Sequence, residues 1–178
     1  MTVLFKNHRM KPTAILRKWQ LTDKVSLTEQ ANNIRVWNYL RDYFPHPYEE
    51  SDAEAFIRMV LDKPDPATDF SIEVEGKAVG GIGIIPRADV ERISAEMGYW
   101  LGEKYWNRGI MTHVVKQMSE YVFTHFPITK LYATIFEFNI ASMRVLEKAG
   151  FTREGILRQA AVKNGKTIDL HYYGLLKP

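Results

Sequence analysis

The run from Met97 to Thr112, MGYWLGEKYWNRGIMT, holds the residues best suited to chemistry in this chain. An apolar, aromatic stretch from Met97 to Leu101 stops at Gly102, crosses a short charged loop, and restarts at Gly109 with helical spacing. The first amides of a helix have no intrahelical partner, and the macrodipole adds partial positive charge there. Gly109 keeps the backbone approachable and Arg108 stands beside it. The loop therefore suits an anion, most naturally a phosphate or pyrophosphate. A plain strand-to-helix connection with a glycine at 102 is the alternative.

The elements that must position this loop follow from periodicity and turn chemistry. Thr13–Trp19 reads as a strand, and Thr22 as the N-cap of a helix over 23–32 that the Asn32-Asn33 pair interrupts. A short helix over Ile34–Leu40 runs into Phe44-Pro-His-Pro-Tyr48, where two prolines impose an irregular loop. Ser51 and Glu54 form a capping box opening a helix to Leu61. Phe70–Val74 and Ala78–Ile85 make a hairpin around Glu75-Gly76, and Ile93–Leu101 is the strand before the loop. Ile110, Val114, Val115, Met118 and Val122 recur at helical spacing, which predicts a helix over 109–125. Lys130–Phe136 is a strand. Ile140–Lys148 is a helix that Gly150 ends. Phe151–Leu157 and Thr167–Leu176 are strands, the second entered through the hairpin signal Asn164-Gly165. Antiparallel strands with interspersed helices make this an α+β protein rather than a doubly wound one. Residues 1–12 show no periodicity and read as a loose end.

Bulk properties narrow the function further. At 178 residues, 46% of them hydrophobic and 25% charged, the chain reads as one globular domain over 1–178. The absence of cysteine excludes disulfides, thiolate metal sites and a cysteine nucleophile. It suits a reducing compartment. With no long apolar run and no leader pattern, a cytoplasmic location is expected and a membrane span is not. A net charge of +3 is too small to suggest nucleic acid but suits a polyanionic small ligand. Five histidines (His8, His46, His113, His125, His171) lack ligand spacing, so no metal is expected. Neither GxGxxG nor a Walker A pattern is present. Exposed edges of a mixed sheet leave a homodimer open.

The order of elements, the segment Trp106-Asn-Arg-Gly-Ile-Met111 and the segment Asn139-Ile-Ala-Ser-Met-Arg-Val-Leu-Glu-Lys-Ala-Gly-Phe151 resemble the GNAT superfamily of acetyl-CoA-dependent N-acetyltransferases. The resemblance runs from Leu16 to Leu176. Tyr99-Trp100, Tyr105-Trp106 and the later segment are most similar to the branch of ribosomal-protein N-terminal (alanine/serine) acetyltransferases. It implies a GNAT fold: a mixed, mostly antiparallel, seven-stranded twisted sheet flanked by about four helices, with splayed central strands. It also implies acetyl-CoA as co-substrate and a primary-amine acceptor.

Carried over residue by residue, the family's phosphate loop (Gln or Arg, two residues, Gly, one residue, Gly or Ala) falls on Trp106, Asn107-Arg108, Gly109, Ile110 and Met111. Met111 stands where a small residue is usual, which is tolerable if its side chain points into the core. The amides of Asn107 to Met111 then hold the pyrophosphate, with Thr112 closing the turn. The strand carrying Tyr99, Trp100 and Leu101 pairs its backbone to the pantetheine. Asn139 holds the pantetheine arm or pyrophosphate, although an asparagine there also suits a plain N-cap. Ser142 is a donor able to protonate the departing thiolate, or a small packing residue. Arg144 and Lys148 reach a 3′-phosphate or are solvated surface charges.

Acetyl transfer to an amine needs a base, a donor for the developing oxyanion (usually a strand amide in this fold) and a proton for the thiolate. Glu96 is the first candidate base, since partial burial would raise its pKa toward the working range. It also suits a cross-strand partner of a lysine or arginine. A second glutamate position proposed as a base in some relatives falls on Ala161. Tyr132 and Tyr172 are alternative acids. Trp37, Phe44, His46 and Tyr48 fall where the family roofs the acceptor pocket. Glu49, Glu50, Asp52 and Glu54 offer an acidic rim to a basic protein. The expected activity is direct attack of a primary amine, such as a protein N-terminus, in a ternary complex. A small-molecule amine (amino acid, polyamine or antibiotic) and a non-catalytic acetyl-CoA-binding module are the alternatives.

Overall fold

A computed structural model describes residues 14–178; the expected loose end at 1–12 lies outside them. Seven strands form one sheet: β1 (Ile15–Arg17), β2 (Asp69–Val74), β3 (Lys77–Pro86), β4 (Ser94–Leu101), β5 (Lys130–Phe136), β6 (Thr152–Lys163) and β7 (Lys166–Leu176). Their order is β1-β2-β3-β4-β5-β7-β6, and every pairing is antiparallel except β4 with β5. Five helices flank the sheet among the described residues, one more than expected: α1 (Lys24–Ala31), α2 (Ile34–Trp37), α3 (Glu50–Leu61), α4 (Ile110–His125) and α5 (Ile140–Ala149).

The parallel pair is the feature that makes a site. β4 meets β5 only where Ser94, Ala95 and Glu96 oppose Lys130, Leu131 and Tyr132. Beyond that point β4 stays paired to β3 as far as Leu101, and β5 stays paired to β7 as far as Phe136. The two strands diverge, and the flank of Met97–Leu101 that faces β5 carries no ladder. The expected splay of the central strands is present.

Alternation along β4 decides what each face sees. Ala95, Met97 and Leu101 are buried in the main core with Val114, Val115, Met118 and Val122 of α4 and Met143 and Leu146 of α5. Each of the Val, Leu and Met side chains among them stabilises the fold by roughly 1.5–3 kcal/mol through burial. Trp100, on the other face, packs against a second core of Trp19, Leu27, Ala31, Tyr48, Ala53 and Ile57 beneath α1 and α3. On that same face Gly98 is exposed, and a Cβ added to it would meet nothing within 4 Å.

Several element boundaries differ from expectation. The N-cap of α3 is Glu49, with the Asp52 carboxylate accepting from the Glu49 amide at 2.8 Å, in place of a Ser51/Glu54 box. Thr22 is not a cap: it lies inside a 3-10 turn whose Asp23 carboxylate accepts from the Gln20 amide, and α1 starts at Lys24. α2 stops at Trp37 rather than Leu40. β6 continues past Leu157 to Lys163, because a register shift between Leu157 and Ala161 absorbs Gln159 at φ 49°. The Gln159 amide there donates to Asp169 of β7 at 2.8 Å, so the bulge is held rather than frayed.

Candidate active site

All the residues expected to hold the co-substrate line one cleft of about 480 Å³: Tyr99 to Leu101, Trp106 to Thr112, Asn139 and Ser142. The loop that closes its end is shaped by two left-handed residues, Asn107 at φ 59° and Gly109 at φ 76°. Gly109 is the N-cap of α4, and the first helix amide to pair internally is His113, to the Gly109 carbonyl at 3.3 Å. The amides of Ile110, Met111 and Thr112 therefore have no intrahelical partner. Trp106 ties the loop back, its indole N–H donating to the Leu101 carbonyl at 2.7 Å. Met111 is 8% exposed and packed in the main core, so only its backbone is left for the cleft. That is why the position tolerates a large side chain. Arg108, Arg144 and Lys148 line the cleft and make no ion pair among the described residues.

Deeper in the cleft, β4 and α5 meet through hydroxyls. The Asn139 side-chain oxygen accepts from the Ser142 amide at 3.1 Å, so Asn139 caps α5. This orientation leaves its NH2 group uncommitted among the described residues. The Ser142 and Tyr99 hydroxyls are 2.7 Å apart, and the Tyr99 hydroxyl also reaches the Ser142 carbonyl at 3.3 Å. Burial pushes the Tyr99 phenol above its ordinary range, so near neutral pH it stays protonated and can offer a hydrogen bond.

On the opposite face, Glu96 sits at the foot of the splay. One carboxylate oxygen accepts from Arg41 Nη2 at 2.8 Å and from the Thr134 hydroxyl at 3.0 Å; the other accepts from Arg87 Nη2 at 3.0 Å. Arg41 Nη2 also donates to the Thr134 hydroxyl at 2.9 Å. Arg87 Nε donates to the Tyr132 hydroxyl, and the Tyr132 ring stacks on Tyr172 at 5.0 Å. Burial raises the Tyr132 phenol as well. Arg41, Arg87 and Thr134, the partners of Glu96, are candidate site residues that sequence reading missed. They lie 55, 9 and 38 positions from Glu96, and only the pairing of β4 with β5 brings Thr134 alongside.

The aromatic acceptor candidates form a brace behind the cleft and do not line it. The Trp37 indole donates to the Phe44 carbonyl at 2.9 Å and its ring lies 5.8 Å from that of His46. Phe44 stacks on Tyr48 at 4.9 Å and meets Trp100 at 5.7 Å. Tyr48 is buried in the second core. The cleft-facing residues of this region are Val36, Tyr39 and Leu40. The β6–β7 hairpin reaches over to the brace through Lys163, whose Nζ lies 3.3 Å from the Trp37 ring centre and 2.7 Å from Asp42. The expected acidic rim is consumed locally. Asp52 caps Glu49, while Glu50 and Glu54 pair with Lys24 and Arg58.

A family model described as an acetyltransferase (GNAT) domain matches residues 14–152. The chain belongs to the GNAT family. It is an acetyl-CoA-dependent N-acetyltransferase of GNAT type. Among curated relatives, the uncharacterized N-acetyltransferase p20 of Bacillus licheniformis is 30% identical over 167 residues, 91% of this chain and 92% of that protein. Among solved GNAT structures, RimJ of Mycobacterium smegmatis in complex with a CoA disulfide superposes with a TM-score of 0.82 at 20% identity, covering 93% of this chain and 83% of the other. The spermidine N-acetyltransferase of Vibrio cholerae, solved with CoA and spermine, gives 0.75 at 22% identity, covering 92% and 95%. No helix among the described residues is long and apolar enough to cross a membrane.

Proposed function

We propose that residues 14–178 act as one GNAT domain that transfers an acetyl group from acetyl-CoA to a primary amine by direct attack in a ternary complex. The observation that carries this is the splay of β4 from β5, with an anion cradle at its open end and a carboxylate at its foot. The cleft fits the co-substrate in each part. The free flank of Met97–Leu101 offers backbone groups to a pantetheine arm. The amides at the start of α4 face a pyrophosphate, and the uncommitted Asn139 NH2 group and the free Arg144 and Lys148 suit further phosphate or amide oxygens. When bound, acetyl-CoA supplies an activated thioester carbonyl.

The acceptor arrives from the face that carries Gly98, where nothing stands over the strand. Glu96, directly or through a water, takes a proton from the ammonium so that the nitrogen lone pair is free. As the C–N bond forms, the nitrogen sheds its second proton through water to solvent; the C–S bond breaks and the sulfur leaves as a thiolate. Ser142, hydrogen-bonded to the buried Tyr99 phenol, donates toward it, and Tyr99 supports the donor. A strand amide of β4 faces the carbonyl oxygen as it gains charge. With no cysteine in the chain, no thioester forms on the protein.

Consumption of the acidic carboxylates by local partners favours a small-molecule acceptor over a basic protein. A protein N-terminus is the second reading, favoured by the resemblance of Tyr105-Trp106 at the loop start to the ribosomal-protein branch. Incubating the purified protein with acetyl-CoA and a panel of amines and peptides, with CoA release as readout, tests the proposal. Release with at least one acceptor is expected; none with any acceptor contradicts it.

A further inference from the structure

We infer that the acceptor carries a carboxylate next to its amine, as the head group of a free α-amino acid does, and that Arg41 and Arg87 are its receptors. This rests on the reading of Glu96 as the group that meets the amine. Two guanidiniums flank the single Glu96 carboxylate, leaving the cluster one positive charge in excess. Glu91, the next carboxylate near Arg87, acts on it through space without forming an ion pair within 4.0 Å.

The donors are underused as well as the charge. Arg41 commits only Nη2 to protein partners, leaving Nε and Nη1 without one among the described residues. Arg87 uses Nε on Tyr132 and Nη2 on Glu96, leaving Nη1. Both side chains reach solvent, at 50% and 38% exposure, so these donors are accessible from the face an acceptor must use. A guanidinium presents its donors in a planar fork that matches a carboxylate.

An α-amino acid places its positive and negative groups one carbon apart. Its ammonium can meet Glu96 while its carboxylate takes the free donors of Arg41 and Arg87, so each charge of the zwitterion faces its opposite while the net charge of the cluster is unchanged. A polyamine would instead bring a second cation against two arginines. An amidated amino acid would leave the donors unmatched.

The test compares kcat/KM for the twenty free amino acids with their C-terminal amides, alongside spermidine and a basic peptide, using CoA release. Charged hydrogen bonds of this kind predict that the best free amino acid exceeds its amide by about 10- to 100-fold. In Arg41→Gln the acid-to-amide ratio should fall toward one. An arginine that only holds Glu96 in place would lower both substrates together and leave the ratio intact, and that result overturns the proposal. So do amides that match or exceed the acids, or turnover confined to spermidine or the peptide. Those outcomes leave the acetyltransferase reading standing, whereas no turnover with any acceptor removes both.

Discussion

The two sides of β4 are built on different principles. Toward α4 and α5, the cleft rests mainly on backbone, the amides of Ile110, Met111 and Thr112 and the unladdered flank of Met97–Leu101, with the Asn139 side chain capping α5. These groups sit in two short stretches, and each follows from the local chain geometry. Toward α1–α3, the acceptor face is made from side chains. Arg41, Arg87, Glu96 and Thr134 come from four separate segments and meet only through the sheet. A backbone site tolerates side-chain change, as Met111 illustrates. A side-chain site does not, and so the proposed mechanism puts acceptor choice there.

Substitutions can break this contrast. The largest effect is expected from Glu96→Gln, which keeps the shape of the side chain and removes its basicity. Steady-state CoA release should fall about 100- to 10,000-fold in kcat, the range set by general-base catalysis. Next, Met111→Ala removes buried volume from the main core and should lower stability by about 2–5 kcal/mol, read by chemical denaturation. Its acetyl-CoA affinity at 25 °C, where it is still folded, should change little; a large loss would mean that the side chain and not the backbone serves the cleft. Asn139→Ala removes the α5 cap and should cost roughly 1 kcal/mol of stability. It should also weaken acetyl-CoA in a calorimetric titration, whereas a cap alone would leave affinity intact.

The smallest effect is expected with pH. Burial pushes the Tyr48 phenol up to about 12. An unfolded phenol titrates near about 10, so its proton is kept only by the folded state between the two values. This contribution to stability is fully present below the lower value and is lost as pH rises through the upper one. In thermal melts, the drop in Tm between pH 9 and pH 11 should be smaller in Tyr48→Phe than in the parent. An unchanged drop would place the tyrosine outside the second core.

Much of the cleft side was legible in the sequence because its signals are local. Gly109 and Gly150 mark helix ends, Asn139 stands at a helix start, and Asn164-Gly165 is a turn with φ of 51° and 73°. The acceptor side was legible only at Glu96, whose strand leads into the loop. Arg41 follows a one-turn helix that reads longer than it is, and nothing near it in sequence points to a carboxylate 55 positions away. The cap of α3 was misplaced because Ser51 with Glu54 and Glu49 with Asp52 offer competing pairs at the same spacing. The packing of the preceding Tyr48 into the second core favours the earlier one. The bulge at Gln159 was missed because its partner, Asp169, lies on the next strand.

The central claim is that the cleft side is complete without the acceptor side. Calorimetric titration of acetyl-CoA into the parent protein and into Glu96→Gln tests it most directly. The account predicts binding to both with the same Kd to within about twofold, while the variant is catalytically impaired. Absence of binding to the parent, or about tenfold or more weakening in the variant, would contradict it.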